Sequence, residues 1–202
     1  MNKFIFEAIF FFVIGITNFA NAAEIDRAYY FGNPDVSYPL IIAKNDVATS
    51  KINGVIRAKV KDIIDTTSTT MAEGNFNSVA LNVDYQIPCN HEGGVLSVIL
   101  NAYVNFENSA HPSAFCYGLN FNSNTGERIF SSNLNYTPEI VTQKLRNYAA
   151  KNGIYFFEDF QGLNEVPQYF YYDDNMHVHF LFQQYEVAPY AVGIIDLDAA
   201  IN

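Results

Sequence analysis

Residues 76–106 read FNSVALNVDYQIPCNHEGGVLSVILNAYVNF, and the period of their apolar residues decides the fold class. Between 76 and 87, Val79, Leu81, Val83 and Tyr85 alternate with Ala80, Asn82, Asp84 and Gln86, which is the two-residue period of a strand. Between 95 and 106, Leu96, Val98, Leu100, Ala102, Val104 and Phe106 likewise share one face. Pro88 and Gly93-Gly94 separate the two runs and predict a turn. The pattern is that of an antiparallel hairpin with one buried face.

Upstream, the period changes. Ile52, Ile56, Val60, Ile63 and Ile64 recur at helical spacing within 46–66, while Lys51, Arg57, Lys61, Asp62 and Asp65 point mostly elsewhere. An amphipathic helix lying on the sheet follows. The Thr/Ser run at 66–70 is expected to end it, and Gly54 within it to mark close packing. Before that helix, residues 28–42 begin with aromatic strand formers, break at Gly32-Asn33-Pro34 and resume as an apolar segment.

Downstream, residues 114–122 predict another strand, closed by the Asn124-Thr125-Gly126 turn. Thr137 caps a second helix with Pro138 at its first position and Glu139 in its first turn. Val141, Leu145 and Tyr148 or Ala149 form its buried stripe, and Lys151-Asn152-Gly153 stops it. Strands are expected at 168–172, 176–183 and 192–197. The order implies an α+β fold, with a mixed or largely antiparallel sheet and helices packed on it. Regular βαβ alternation and a glycine-rich phosphate loop are missing, so the pattern is not that of a dinucleotide-binding fold.

The chain has 202 residues, of which 50% are hydrophobic and 16% aromatic, enough for a substantial core. Its formal charge of -10, from 11 basic and 21 acidic residues, argues against non-specific nucleic-acid binding and suits a cationic partner. The opening MNKFIFEAIFFFVIGITNFANAAE has the parts of an export signal: Lys3, an apolar centre at 8–16, and the small-x-small step Ala20-Asn21-Ala22. Residues 1–22 are expected to be cleaved, giving a periplasmic or secreted protein that starts at Ala23 and keeps no integral membrane anchor. In such a compartment Cys89 and Cys116 are expected to form a disulfide between neighbouring strands, the alternative being two buried thiols.

Chemistry-bearing motifs are sparse. There is no GxSxG elbow, HExxH helix or well-spaced set of ligands, so a non-enzyme without a cofactor is expected. A weak metal-dependent hydrolase alternative would use His177 and His179, which face the same way on a strand, with His111 as a third ligand. His91-Glu92, between Pro88 and Gly93-Gly94, reads as part of a turn. In Tyr169-Phe170-Tyr171-Tyr172-Asp173-Asp174, alternation puts Tyr169 and Tyr171 on one face, beside Asp173 and Asp174. Rings next to carboxylates suit a basic protein or a glycan.

The closing Phe182-Gln183-Gln184-Tyr185-Glu186-Val187-Ala188-Pro189-Tyr190-Ala191-Val192-Gly193 resembles the end of the RsiV-like domain family, DUF3298. The His111-Pro112 step, the Asn122-to-Gly126 turn and the Tyr-rich strand followed by an apolar one agree with it. The resemblance covers about 106–200, and residues 23–105 look like the DUF4163-type half that commonly precedes it. The two halves, 23–105 and 106–202, are expected to pack as one unit.

The resemblance implies an extracytoplasmic module that recognises lysozyme in anti-sigma proteins and also occurs beside peptidoglycan deacetylase domains. Lysozyme or another cationic envelope protein is thus the expected partner, direct binding of peptidoglycan or another glycan being the alternative. Tyr185, Glu186 and Tyr190 are the candidate contacts, together with Tyr169, Tyr171, Asp173 and Asp174; the alternative is structural, with Pro189 fixing a bend, Tyr190 anchored in the core and the tyrosine-rich strand packed in a sheet. His111 here follows Asn108-Ser109-Ala110 rather than the family's usual Gly-Gly-Ala, and no sigma-binding segment is seen, so the anti-sigma role is not carried over.

Overall fold

The computed structural model describes residues 22–200, so the expected signal segment lies essentially outside the described residues. The chain opens with an antiparallel pair, β1 (Glu24–Tyr29) and β2 (Ser37–Ile42). Helix α1 (Asp46–Glu73) follows, then a meander of β3 (Val79–Asn90), β4 (Val95–Phe106) and β5 (Ser113–Asn122), edged by the short β6 (Arg128–Ile129). After α2 (Pro138–Asn152) come β7 (Phe170–Tyr172), β8 (Val178–Phe182) and β9 (Ile195–Asp198), a second antiparallel sheet. No helix among the described residues is long and apolar enough to cross a membrane.

The layers run α1, first sheet, second sheet, α2. Ile52, Ile56, Val60 and Ile63 of α1 pack on Val83, Leu96, Val98, Leu100, Leu119 and Phe121. On the far side, Val141 and Leu145 of α2 meet Phe170, Phe180, Phe182, Ile195 and Leu197. Between the sheets sits a small cluster of Ile99, Cys116, Tyr171 and Leu181. The fold is α+β with antiparallel sheets and helices packed on them. The line drawn at residue 105 falls inside β4, one residue before its end, and β4 pairs with the full length of β5 from Val95↔Asn122 to Val104↔Ser113.

Several local expectations are corrected. The Thr/Ser run does not end α1: Thr67 Oγ1 donates to Ile63 O at 2.8 Å and Ser68 Oγ to Ile64 O at 2.9 Å. Bonded back to the preceding turn, these hydroxyls stop competing with the helix, which continues to Glu73. Gly54 is exposed, with no atom within 4 Å of where a Cβ would be, so it marks no close packing. Pro88 lies not in the turn but inside β3, at the irregularity between Gln86 and Cys89 where a missing N–H is tolerated.

The hairpin's second face is not left to solvent either. Ser97 and Asn120 are fully buried there, and Ser97 Oγ donates to Asn120 Oδ1 at 2.6 Å. Asn120 Nδ2 then donates to Phe170 O at 2.7 Å, and Tyr172 N–H to Ser97 Oγ at 3.0 Å. Two polar residues therefore dock β7 onto the first sheet. Gly118 permits the approach, since a Cβ there would lie 2.0 Å from Phe170 O.

The expected disulfide is not formed; Cys89 and Cys116 are free and buried. Cys89 is opposite Ser97 and Cys116 opposite Asn101, so the cysteines flank β4 on different sides and are offset by four of its residues. Two strand spacings of about 4.8 Å, plus that offset at about 3.4 Å per residue, put the Cα atoms far beyond the reach of a disulfide.

Candidate functional site

The segment after β8 is held by its own amides. Gln183 Oε1 accepts from Cys116 N–H at 2.9 Å while Gln183 Nε2 donates to Cys116 O at 2.7 Å. Gln184 Oε1 accepts from Ala114 N–H at 2.8 Å. Two side chains thus do for the outer edge of β5 what a neighbouring strand would do. Beyond them Tyr185 takes a left-handed backbone, with φ 63°.

On this mount three rings converge. His111 stacks on Tyr190 with centroids 3.8 Å apart, and its Nε2 lies 3.1 Å from the Tyr185 hydroxyl. Tyr190 OH donates to Pro112 O at 3.0 Å, and the two tyrosine rings are 5.7 Å apart. Tyr185 is 54% exposed, so the cluster presents ring and hydroxyl to solvent while its far side is tied down. Of the expected contacts, Tyr185 and Tyr190 meet here. His111, expected only as a weak ligand, turns out to be their partner across 74 residues of sequence.

Glu186 and Tyr169 come together on the other side of the same segment, where an open cleft of about 470 Å³ includes Phe160, Leu163, Glu165 and Gln168 in its walls. The Glu186 carboxyl accepts from Gln183 N–H at 2.6 Å; although the residue is exposed, partial desolvation of the carboxyl raises it above the usual carboxylate range, the N–H partly offsetting this. Tyr169 OH accepts from Lys59 Nζ at 3.3 Å, so α1 reaches across to brace one wall.

The remaining expected contacts lie elsewhere. Tyr171 is buried between the sheets, stacked on His179 at 4.5 Å, with its hydroxyl donating to Asp196 Oδ2 at 2.6 Å. Burial first, then the Asp196 carboxylate, pushes its pKa well above the ordinary tyrosine value. Asp173 accepts from Asn175 and His177 N–H in the turn between β7 and β8. Desolvation opposes its charge, but these donors hold it below the usual carboxylate range. Asp174 is exposed in that turn, at the opposite end of β8 from Tyr185.

His179 Nδ1 lies 2.9 Å from Asp196 Oδ1, while its Nε2 and His177 Nδ1 approach Asp173 Oδ2 at 3.8 and 3.6 Å. His111 belongs to the tyrosine cluster instead, so the three histidines of the metal alternative do not converge. No group of three His, Cys, Asp or Glu side chains among the described residues is placed to hold a metal ion. His91 Nδ1 accepts from Gly93 N–H at 2.9 Å and serves its own turn.

Residues 127–198, which carry α2, the cleft and the tyrosine segment, match a family described as "Protein of unknown function (DUF3298)". Two solved structures share the fold. One, from Bacteroides fragilis, is a DUF3298 family member with TM-score 0.56 and 16% identity over 87% of each chain. The other, a DUF3298 family protein from Pseudomonas aeruginosa, gives TM-score 0.58 and 10% identity over 88% of each chain. No curated protein matches the sequence. At these identities the DUF3298 likeness carries the architecture and no ligand.

Proposed function

We propose that this chain is an exported, non-catalytic binding protein of the cell envelope, and that its partner is a cationic protein of the lysozyme kind. The observation that carries the reading is the exposed His111–Tyr185–Tyr190 cluster on a mount of side-chain-to-backbone hydrogen bonds. A tyrosine held in one orientation loses little entropy on binding and offers both apolar area and a hydroxyl, which is why such residues dominate interface energetics. The net charge of -10 supplies long-range attraction for a basic partner. The contact set differs from the one read in the sequence. Tyr185, Tyr190 and His111 form its centre, and Tyr171, which is committed to Asp196, does not belong to it.

Calorimetry of the processed chain, residues 23–202, with lysozyme at two salt concentrations tests this. The expected result is a stoichiometric complex weakened by salt, with Tyr185→Ala costing about 2 kcal/mol of affinity and leaving the folding midpoint unchanged. Absence of a complex at both salts removes the lysozyme-type partner. A complex indifferent to Tyr185→Ala removes the site.

A further inference from the structure

The cleft beside the tyrosine cluster has a chemistry of its own. Asn164, Glu165 and Gln168 line it, all three are exposed, and none has a hydrogen-bond or ion-pair partner among the described residues. Phe160 and Tyr169 supply ring surface, and no Lys, Arg or His contributes to the lining. The volume of about 470 Å³ falls within the range of small-ligand sites, about 300–1,000 Å³.

Each feature narrows the ligand. Lys59, behind the Tyr169 ring, is paired with Asp62, and with Glu165 and Glu186 in the lining an anion would meet net negative charge. A purely apolar ligand would strand the amides and carboxylates away from water. Amide side chains both donate and accept, as sugar hydroxyls do, and aromatic faces pack against the C–H faces of a pyranose ring. From this combination we infer that the cleft is a binding site for a neutral oligosaccharide, separate from the protein-binding surface proposed above. Gln183 and Glu186, already bonded to the chain, form a fixed floor; Asn164, Glu165 and Gln168 are the groups left to read hydroxyls.

The test titrates the processed chain by calorimetry with neutral trisaccharides: triacetylchitotriose, cellotriose and maltotriose. At least one should bind saturably at one per chain. Gln168→Ala and Asn164→Ala should each weaken it several-fold to about tenfold, the loss expected for a neutral hydrogen bond. Both side chains are exposed and unpartnered, so these variants should unfold at the wild-type urea concentration. Tyr185→Ala should retain sugar binding, which separates failure here from failure of the lysozyme proposal. The inference is overturned if none of the three sugars binds up to millimolar concentration. It is also overturned if binding ignores both cleft variants, or if a trilysine peptide binds there while the sugars do not.

Discussion

Gly118→Ala is the sharpest perturbation of the junction between the sheets. The new Cβ would sit 2.0 Å from Phe170 O, 2.7 Å from its C and 3.0 Å from its N, all backbone atoms that no side-chain rotation can move aside. An ordinary carbon-to-oxygen contact is about 3.3 Å, so β7 must retreat by about 1.3 Å. That distance breaks the 2.7 Å bond from Asn120 to Phe170 O and strains the 3.0 Å bond from Tyr172 to Ser97. Overpacking costs about 1–3 kcal/mol, and stranding a buried polar group about 1–3 kcal/mol more, giving a loss of about 2–6 kcal/mol. With a urea dependence of about 2 kcal/mol/M for a domain of this size, the unfolding midpoint should fall by about 1–3 M. Gly54→Ala is the internal control. It makes the same chemical change on the open face of α1 and should stabilise by about 1 kcal/mol. If Gly118→Ala unfolds within about 1 kcal/mol of wild type, the close approach of β7 to β5 is wrong.

Asn53 of α1 exchanges two hydrogen bonds with Ile41, accepting from its N–H at 2.9 Å and donating to its O at 2.7 Å. Both residues are buried, so Asn53→Ala should cost about 2 kcal/mol in urea unfolding, and a change near zero would deny the link. His179 is raised above its ordinary value: burial opposes its charge, but the bond and charge of Asp196, with Asp198 and Asp173 behind, outweigh that. Its stabilising share is therefore whole below the unfolded value of about 6.5 and drains as pH rises through the folded value. The stability gap between wild type and His179→Asn should accordingly narrow between about pH 6 and pH 8; a gap that widens refutes the sign. Thiol titration in denaturant without reductant should count two free thiols per chain. In the native state they should react slowly, because burial, aided by the nearby Asp196 charge, pushes Cys116 up to about 12. A protein with no titratable thiol would overturn the described register of β3 and β5.

The elements were legible in the sequence because each announces itself locally. The two-residue period of Leu96 to Phe106 and the helical spacing of Ile52, Ile56, Val60 and Ile63 bury the faces they imply. Thr137 caps α2 and Gly153 ends it in a left-handed conformation, as their residue types require. What stayed hidden depends on the second sheet. Ser97 and Asn120 have the alternation and polarity of solvent-facing residues, and only the arrival of β7 makes them a buried dock. The tyrosine-rich strand met the same fate: with Phe170 facing one core and Tyr171 another, neither face of β7 is left as a wide recognition surface. Tyr185 and Tyr190 could be singled out by their motif. Their pairing with His111 could not, since nothing short-range connects residues 74 positions apart.

The two glutamines beyond β8 have a consequence for the solution behaviour of the chain. The outer edge of β5 would otherwise expose the N–H of Ala114 and both backbone groups of Cys116 in an extended row, the template on which a second molecule adds a strand. Gln183 and Gln184 occupy that row without offering a backbone edge of their own, so growth by strand addition stops where it would begin. Replacing either glutamine removes a guard against self-polymerisation as well as a support for the tyrosines. Any redesign of residues 185–190 for a new partner should therefore leave those two amides in place.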